Sequence, residues 1–284
     1  MFIEIMDTTL RDGEQTSGVS FARQEKLSIA RLLLEELKIP RIEIASARVS
    51  SGEYETATQL CEWARKRGHI DKIEILGFLD NGASIEWIRS CGARVMNLLC
   101  KGSEKHCTFQ LKKTVQEHIA DIKAAIRKAR EAGLKINLYL EDWSNGIQHS
   151  PQYVYQLVDA LKNEAVELKY CRAMRRRYPN LRFDFHAHND YDLATANTFA
   201  AALTGIQGVH CTVNGLGERA GNAPLTSVLA VLHDQVKATT GVTENMLNKV
   251  SRIVESYSGV RVAANKPIIG ESVLPPMCRR PCRR

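Results

Sequence analysis

Short apolar runs alternate, along the whole chain, with longer stretches whose apolar residues recur every three or four positions. The short runs predict strands over Phe2–Met6, Arg41–Ala45, Lys72–Phe78, Arg94–Leu99, Lys135–Glu141, Leu181–His186 and Gly208–Val213. Each is mostly apolar or β-branched, as a strand covered on both faces requires. The longer stretches predict helices over Ala22–Lys38, Gly52–Arg67, Ser84–Ser90, Thr114–Ala132, Pro151–Leu161, Val166–Tyr178, Tyr191–Leu203 and Pro224–Lys237. Thr114–Ala132 carries the full set of helix signals. Thr114 and Glu117 form a capping box, Gly133 stops the helix, and Ile119, Ile122, Ala125, Ile126 and Ala129 mark one apolar face.

A repeating strand–helix unit builds a parallel sheet. No G-x-G-x-x-G follows the first strand. Polar and Gly-rich segments instead follow almost every strand: Asp7–Gln15, Ser46, Asp80–Gly82, Lys101–Ser103, Asp142–Gly146, His186–Asp190 and Asn214–Asn222. Chemistry gathered at the carboxyl ends of many strands belongs to the (β/α)8 TIM barrel. The count is one strand short, with eight helices and seven strands. Between Leu161 and Val166 only Lys162-Asn163-Glu164-Ala165 joins two helical patterns. Four residues hold no strand, so this join is expected to be strained or irregular in a seven-stranded barrel.

The chain has 284 residues, 44% hydrophobic and 25% charged, a globular composition whose length allows one large domain or two ordinary ones. Its net charge of +7 invites a nucleic-acid reading until the charge is located. Leu161–Arg182 carries seven Lys/Arg against two Glu, Cys278–Arg284 carries four Arg, and the remainder nets −2. The basicity is local, so no nucleic acid is expected as a partner. No apolar run reaches the roughly 18 residues of a membrane span, and acids stand where a signal peptide has a basic start. Eight cysteines without a C-x-x-C pair read as free thiols of a cytoplasmic protein.

Three segments carry the chemistry: Asp7-Thr8-Thr9-Leu10-Arg11-Asp12-Gly13-Glu14-Gln15, His186-Ala187-His188-Asn189-Asp190, and Asn214-Gly215-Leu216-Gly217-Glu218-Arg219-Ala220-Gly221-Asn222. Residues two apart in a strand share a side, so His186 and His188 both face the barrel mouth. They read as metal ligands or as solvent and core histidines. A closing barrel makes its first and last strands neighbours. Asp12 and Asn222 could then add two oxygens, a mixed set suited to Zn²⁺, Mn²⁺ or Mg²⁺.

These segments resemble the metal-dependent barrels that include 2-isopropylmalate, citramalate and homocitrate synthases and hydroxymethylglutaryl-CoA lyase. Gly215-Leu216-Gly217-Glu218-Arg219-Ala220-Gly221-Asn222-Ala223-Pro224-Leu225 matches the family in order and position, and Asn265-Lys266-Pro267 fits its synthase branch. The resemblance covers residues 1–272 outside the join and is closest to 2-isopropylmalate synthase. It implies that Asp12, His186, His188 and Asn222 bind the metal, with Arg11 beside it to stabilise an oxyanion. Arg11 otherwise pairs with a carboxylate to close the mouth. Gln15 and Glu43 look like substrate-pocket positions, and Glu43 equally fits a mouth charge paired to Arg11. Glu141 is implied as the base that deprotonates acetyl-CoA, its carboxyl raised by a dry pocket. Gly217 and Gly221 would let backbone approach a bound ligand.

The implied reaction condenses acetyl-CoA with a 2-oxo acid, 2-oxoisovalerate favoured, in a homodimer of leucine biosynthesis. Citramalate or homocitrate synthesis, lyase chemistry, and an inactive barrel that keeps its metal are the alternatives. Three departures stand against the family pattern. The sixth strand and its apolar-Pro-Asp-Thr-Leu-Gly-type loop are not found. The C-terminal subdomain pattern breaks after Val273, and no regulatory domain follows. The expectation is therefore a catalytic barrel over 1–272 and an off-pattern basic tail over 273–284, where Cys278 and Cys282 form an incomplete metal set.

Overall fold

The computed structural model describes residues 1–162 and 172–273. Seven parallel strands form one sheet: β1 Glu4–Asp7, β2 Arg41–Ser46, β3 Ile73–Gly77, β4 Val95–Lys101, β5 Lys135–Glu141, β6 Asp184–His186 and β7 Gly208–Cys211. Their order is β5-β4-β3-β2-β1-β7-β6. The first strand pairs with the last in sequence, Glu4 opposite Gly208 and Asp7 opposite Cys211. This is the neighbour relation of a closing barrel, and it sets the loops after β1, β6 and β7 side by side.

The sheet curls far enough for side chains of distant strands to meet inside it. Arg41 on β2 reaches Asp184 on β6 at 2.5 Å, and also Glu4 at 3.1 Å and Glu74 at 3.2 Å. Burial pushes the Asp184 carboxyl up, but Arg41, His210 and Arg182 outweigh it and hold the group well below the usual carboxylate range. Above this ionic floor, Met6, Leu76 and Tyr139 form a small apolar cluster inside the barrel. The main core lies between the sheet and the helices outside it, where Ile5, Ile42, Ile75, Leu98, Leu138 and Val209 meet the helix faces.

The helices are α1 Arg23–Arg31, α2 Ser51–Lys66, α3 Ala83–Ser90, α4 Glu104–Phe109, α5 Val115–Glu131, α6 Trp143–His149, α7 Pro151–Leu161, α8 Arg172–Arg177, α9 Ala194–Ala202, α10 Leu225–Asp234 and α11 Leu247–Ser258. The capping box is present at α5. Thr114 Oγ1 accepts from the Glu117 amide, and the Glu117 carboxylate accepts from the Thr114 amide at 2.8 Å. Ile122, Ile126 and Ala129 of its apolar face are buried. α7 begins on Pro151, whose fixed φ suits a first helical position.

The sequence pattern needs correction in several places. The stretch after Ala22 is α1 followed by a π turn over Leu32–Glu36. The predicted strand Leu181–His186 shortens to three residues, Asp184–His186. Helix α6 overlaps the Asp142–Gly146 segment read as a loop, and the pattern does not anticipate α4 or α11. The join Asn163–Ala165 lies outside the described residues, and so does the tail from 274. Among the described residues, β5 and β6 are the two ends of the strand order. Part of the basic segment is internal scaffolding: Arg177 lies 4.5 Å over the Tyr155 ring and pairs with Asp159 at 2.9 Å, tying α8 to α7. The five described cysteines are free and buried. Among the described residues no helix is long and apolar enough to cross a membrane.

Candidate metal centre

The loop after β1 folds around one carbonyl. Thr8 O accepts from the amides of Arg11, Asp12 and Gly13 at 3.2, 2.9 and 3.1 Å. A single 3-10 turn, Gly13–Gln15, follows. Asp12 is thereby turned inward and is 1% exposed. Across the mouth, His186 ends β6 and His188 lies two residues on, their rings edge to face at 4.8 Å. An isolated bridge pairs His188 with Asn222, and the Asn189 amide donates to Gly221 O at 2.8 Å. The four residues proposed from the sequence as ligands therefore come from three adjacent loops.

One ligating atom from each of Asp12, His186 and His188 falls within 4.8 Å of the others. Asp12 Oδ2 is 3.2 Å from His186 Nε2. Asp12 Oδ1, His188 Nδ1 and Asn222 Oδ1 are buried without a hydrogen-bond partner. Buried polar atoms ordinarily find partners, and one without costs about 1–3 kcal/mol. A divalent cation held by this mixed oxygen and nitrogen set would satisfy them, so the residues present fit a metal. Burial pushes the Asp12 carboxyl up, but His186 and Arg11 outweigh it and hold it well below the usual range. Burial likewise pushes the His188 imidazole down, toward the neutral form that ligates.

Arg11 stands beside this set, its Nη1 3.6 Å from Asp12 Oδ2. Glu43 holds it. Glu43 is fully buried and accepts from Arg11 Nε at 2.6 Å, Thr8 Oγ1 at 2.7 Å and Asn97 Nδ2 at 2.7 Å. Of the two readings of Glu43, the pairing with Arg11 is the geometry found. Gln15 Oε1 lies 3.5 Å from Arg11 Nη1, at the open side of the same loop.

The surroundings of Glu141 and of two glycines differ from the expected pattern. Glu141 ends β5 at the mouth, but its side chain is 42% exposed and forms an ion pair with Lys101, so no dry pocket surrounds it. Gly217 and Gly221 are needed because the chain approaches itself. A Cβ on Gly217 would sit 2.4 Å from Asn222 Nδ2, and one on Gly221 would sit 2.2 Å from Gly215 O. Their missing side chains let the loop fold closely on itself, with Asn222 against Gly217.

Sequence reasoning missed the groups that hold the loops. Thr16 Oγ1 accepts from the Gly217 amide at 2.8 Å and donates to Gly217 O at 3.1 Å, clasping the Asp12 loop to the Asn222 loop. Asn97 extends the Glu43 network to Tyr139 at 2.9 Å. Asn214 joins the last loop to α11 through Ser251 Oγ at 2.6 Å. A polar residue inside an apolar strand, as at Asn97, was the one available signal.

Asp7 sets a pH dependence. It is fully buried opposite Cys211, and burial raises its carboxyl from 3.8 to about 7. The folded chain then keeps a proton that the unfolded chain has released. The Asp7 contribution to stability is full below about pH 4 and is lost as pH rises to about 7. Asp7→Asn should remove a fall on the order of 4 kcal/mol. Urea unfolding midpoints at pH 4.5 and 8 check this, and parallel pH profiles for the two proteins would refute it.

Known proteins place the chain in a family. The HMGL-like family model matches residues 2–168 and 167–254. The (R)-citramalate synthase of Methanocaldococcus jannaschii is 34% identical over 287 residues, covering 96% of this chain and 57% of that protein. The 2-isopropylmalate synthase of the same organism is 33% identical over 283 residues, covering 95% and 53%. The chain spans about half the length of these curated relatives. The crystal structure of hydroxymethylglutaryl-CoA lyase from Pseudomonas aeruginosa superposes with a TM-score of 0.73 at 19% identity, over 92% of this chain and 94% of that one, a likeness of fold. With two matches that together span most of its length, the chain belongs to the HMGL-like family.

Proposed function

We propose that this chain carries the catalytic barrel of an acyltransferase that condenses acetyl-CoA with a 2-oxo acid, 2-oxoisovalerate being favoured, as in leucine biosynthesis. The observation that supports it most is the convergence of Asp12, His186 and His188, with Asn222 bridged to His188, beside a charge-paired Arg11; Asp12 Oδ1, His188 Nδ1 and Asn222 Oδ1 there lack hydrogen-bond partners. These four residues would hold a divalent cation, which when bound supplies Lewis-acid polarisation of the oxo group. Arg11 presents a planar, permanently charged fork to the oxygen that gains negative charge, and Glu43 fixes that fork. Glu141 takes a proton from the acetyl methyl after parting from Lys101. The resulting carbanion forms a carbon–carbon bond to the oxo carbon, and the alkoxide is protonated. Water then cleaves the thioester and releases free CoA. Gln15 lines the substrate side of the loop. The working enzyme in this reading is a cytoplasmic homodimer.

A second reading is a barrel that binds metal without turnover, favoured by the exposure of Glu141. Metal-loaded protein is given acetyl-CoA with 2-oxoisovalerate, pyruvate or 2-oxoglutarate in turn, and free thiol is measured. The greatest release is expected with 2-oxoisovalerate. Metal binding with no release from any of the three would replace the acyltransferase reading by the inactive one.

A further inference from the structure

Lys26 is a lysine where the helix pattern calls for an apolar residue. It lies on α1 beside the buried Leu27, Ile29 and Ala30, and its side chain is 2% exposed. A buried ammonium is tolerated only when paired and hydrogen-bonded. Lys26 Nζ meets Glu14 Oε2 at 2.6 Å and the two carboxylate oxygens of Glu53 at 2.9 and 2.7 Å. Its hydrogens have three acceptor oxygens from two other elements. Glu53 sits in the first turn of α2, where its amide donates to the Ser50 cap at 3.0 Å. Glu14 sits in the 3-10 turn, two residues after Asp12, and its other oxygen accepts from the Phe21 amide at 2.9 Å.

One turn of three residues has few bonds of its own to hold a ligand in position. Gln15 N donates to Asp12 O at 2.9 Å and Thr16 N to Gly13 O at 3.3 Å. On the barrel side Thr16 grips Gly217. On the helix side Glu14 is the anchor, and it is held by Lys26. We infer that the Glu14–Lys26–Glu53 cluster positions the Asp12 loop for metal binding, with Lys26 a positioning residue that touches neither metal nor substrate. The inference rests on the reading of Asp12 as a metal ligand. A ligand loop needs this support because supporting partners commonly carry 10–100-fold of metal affinity.

The test is Mn²⁺ binding by electron paramagnetic resonance on the intact chain, with Glu14→Gln, Lys26→Met and Lys26→Arg. Leu157→Ala, a cavity in the α7 core, is the control for destabilisation alone. Glu14→Gln and Lys26→Met are expected to weaken Mn²⁺ binding about ten-fold. Lys26→Arg should recover most of it, and Leu157→Ala should leave the affinity of folded protein unchanged. Glu14→Gln keeps size and removes one charge, so it remains informative if Lys26→Met does not fold. Unchanged Mn²⁺ affinity in Glu14→Gln, with the parent binding normally, would overturn the inference alone. No Mn²⁺ binding by the parent would overturn the metal reading and this inference with it.

Discussion

Asp12→Asn is expected to lower divalent-metal affinity by roughly 10²–10³-fold, more than the loss of a supporting partner costs. Condensation should fall with it. The substitution keeps the shape of the side chain and the amide hydrogen bonds that Asp12 makes to Thr8 and Gln15. It removes the only carboxylate among the four proposed ligands. Arg11, 3.6 Å away, then faces the cation without the charge that balances it. Isothermal titration with Mn²⁺ and circular dichroism of the variant check both halves. The fold should persist while the metal is lost. Retention of parental affinity would remove Asp12 from the ligand set.

Glu43→Leu should act mainly on stability. Glu43 is fully buried and accepts three hydrogen bonds, one from the Arg11 guanidinium, whose side chain is 11% exposed. The substitution leaves Arg11, Thr8 and Asn97 without their acceptor. Breaking a buried ion pair from one side typically costs about 3–5 kcal/mol. In a chain of this size that corresponds to a Tm lowered by roughly 10 °C. Glu43→Gln, which keeps an acceptor oxygen, should lose less stability, yet it should still misplace the Arg11 fork. Differential scanning calorimetry separates the two variants. A Tm within about 2 °C of the parent for Glu43→Leu, less than 1 kcal/mol for a chain of this size, would mean that Arg11 finds another partner.

The fold was readable where local chemistry and tertiary packing agree. Thr114, Glu117 and Gly133 marked the ends of α5 because caps and stops act within one turn. Pro151 and the strand Lys135–Glu141 were readable for the same reason. The nearness of the proposed ligands was readable because barrel closure brings the Asp12, His186–His188 and Asn222 segments together, although β6 ends at His186 and His188 lies beyond it. Support for the site was less legible. Lys26 looks like a solvated residue until Glu14 and Glu53, 12 residues before it and 27 after it, are seen around it. The close approach of Asn222 to Gly217 is a tertiary contact that the local sequence does not report. The exposure of Glu141 depends on what lies beside β5, and no pattern within β5 reports it. The helix α11 has apolar residues at Leu247, Val250 and Val254, a spacing that was available but lies beyond the last strand.

Metal-dependent release of CoA tests the account most directly. Purified protein is stripped with a chelator, then supplied with acetyl-CoA and 2-oxoisovalerate, and free thiol is followed with and without added Mn²⁺. The account predicts thiol release that vanishes on stripping, returns with the metal, and requires the 2-oxo acid. Release that is indifferent to the metal, or none from folded, metal-loaded protein, would contradict it.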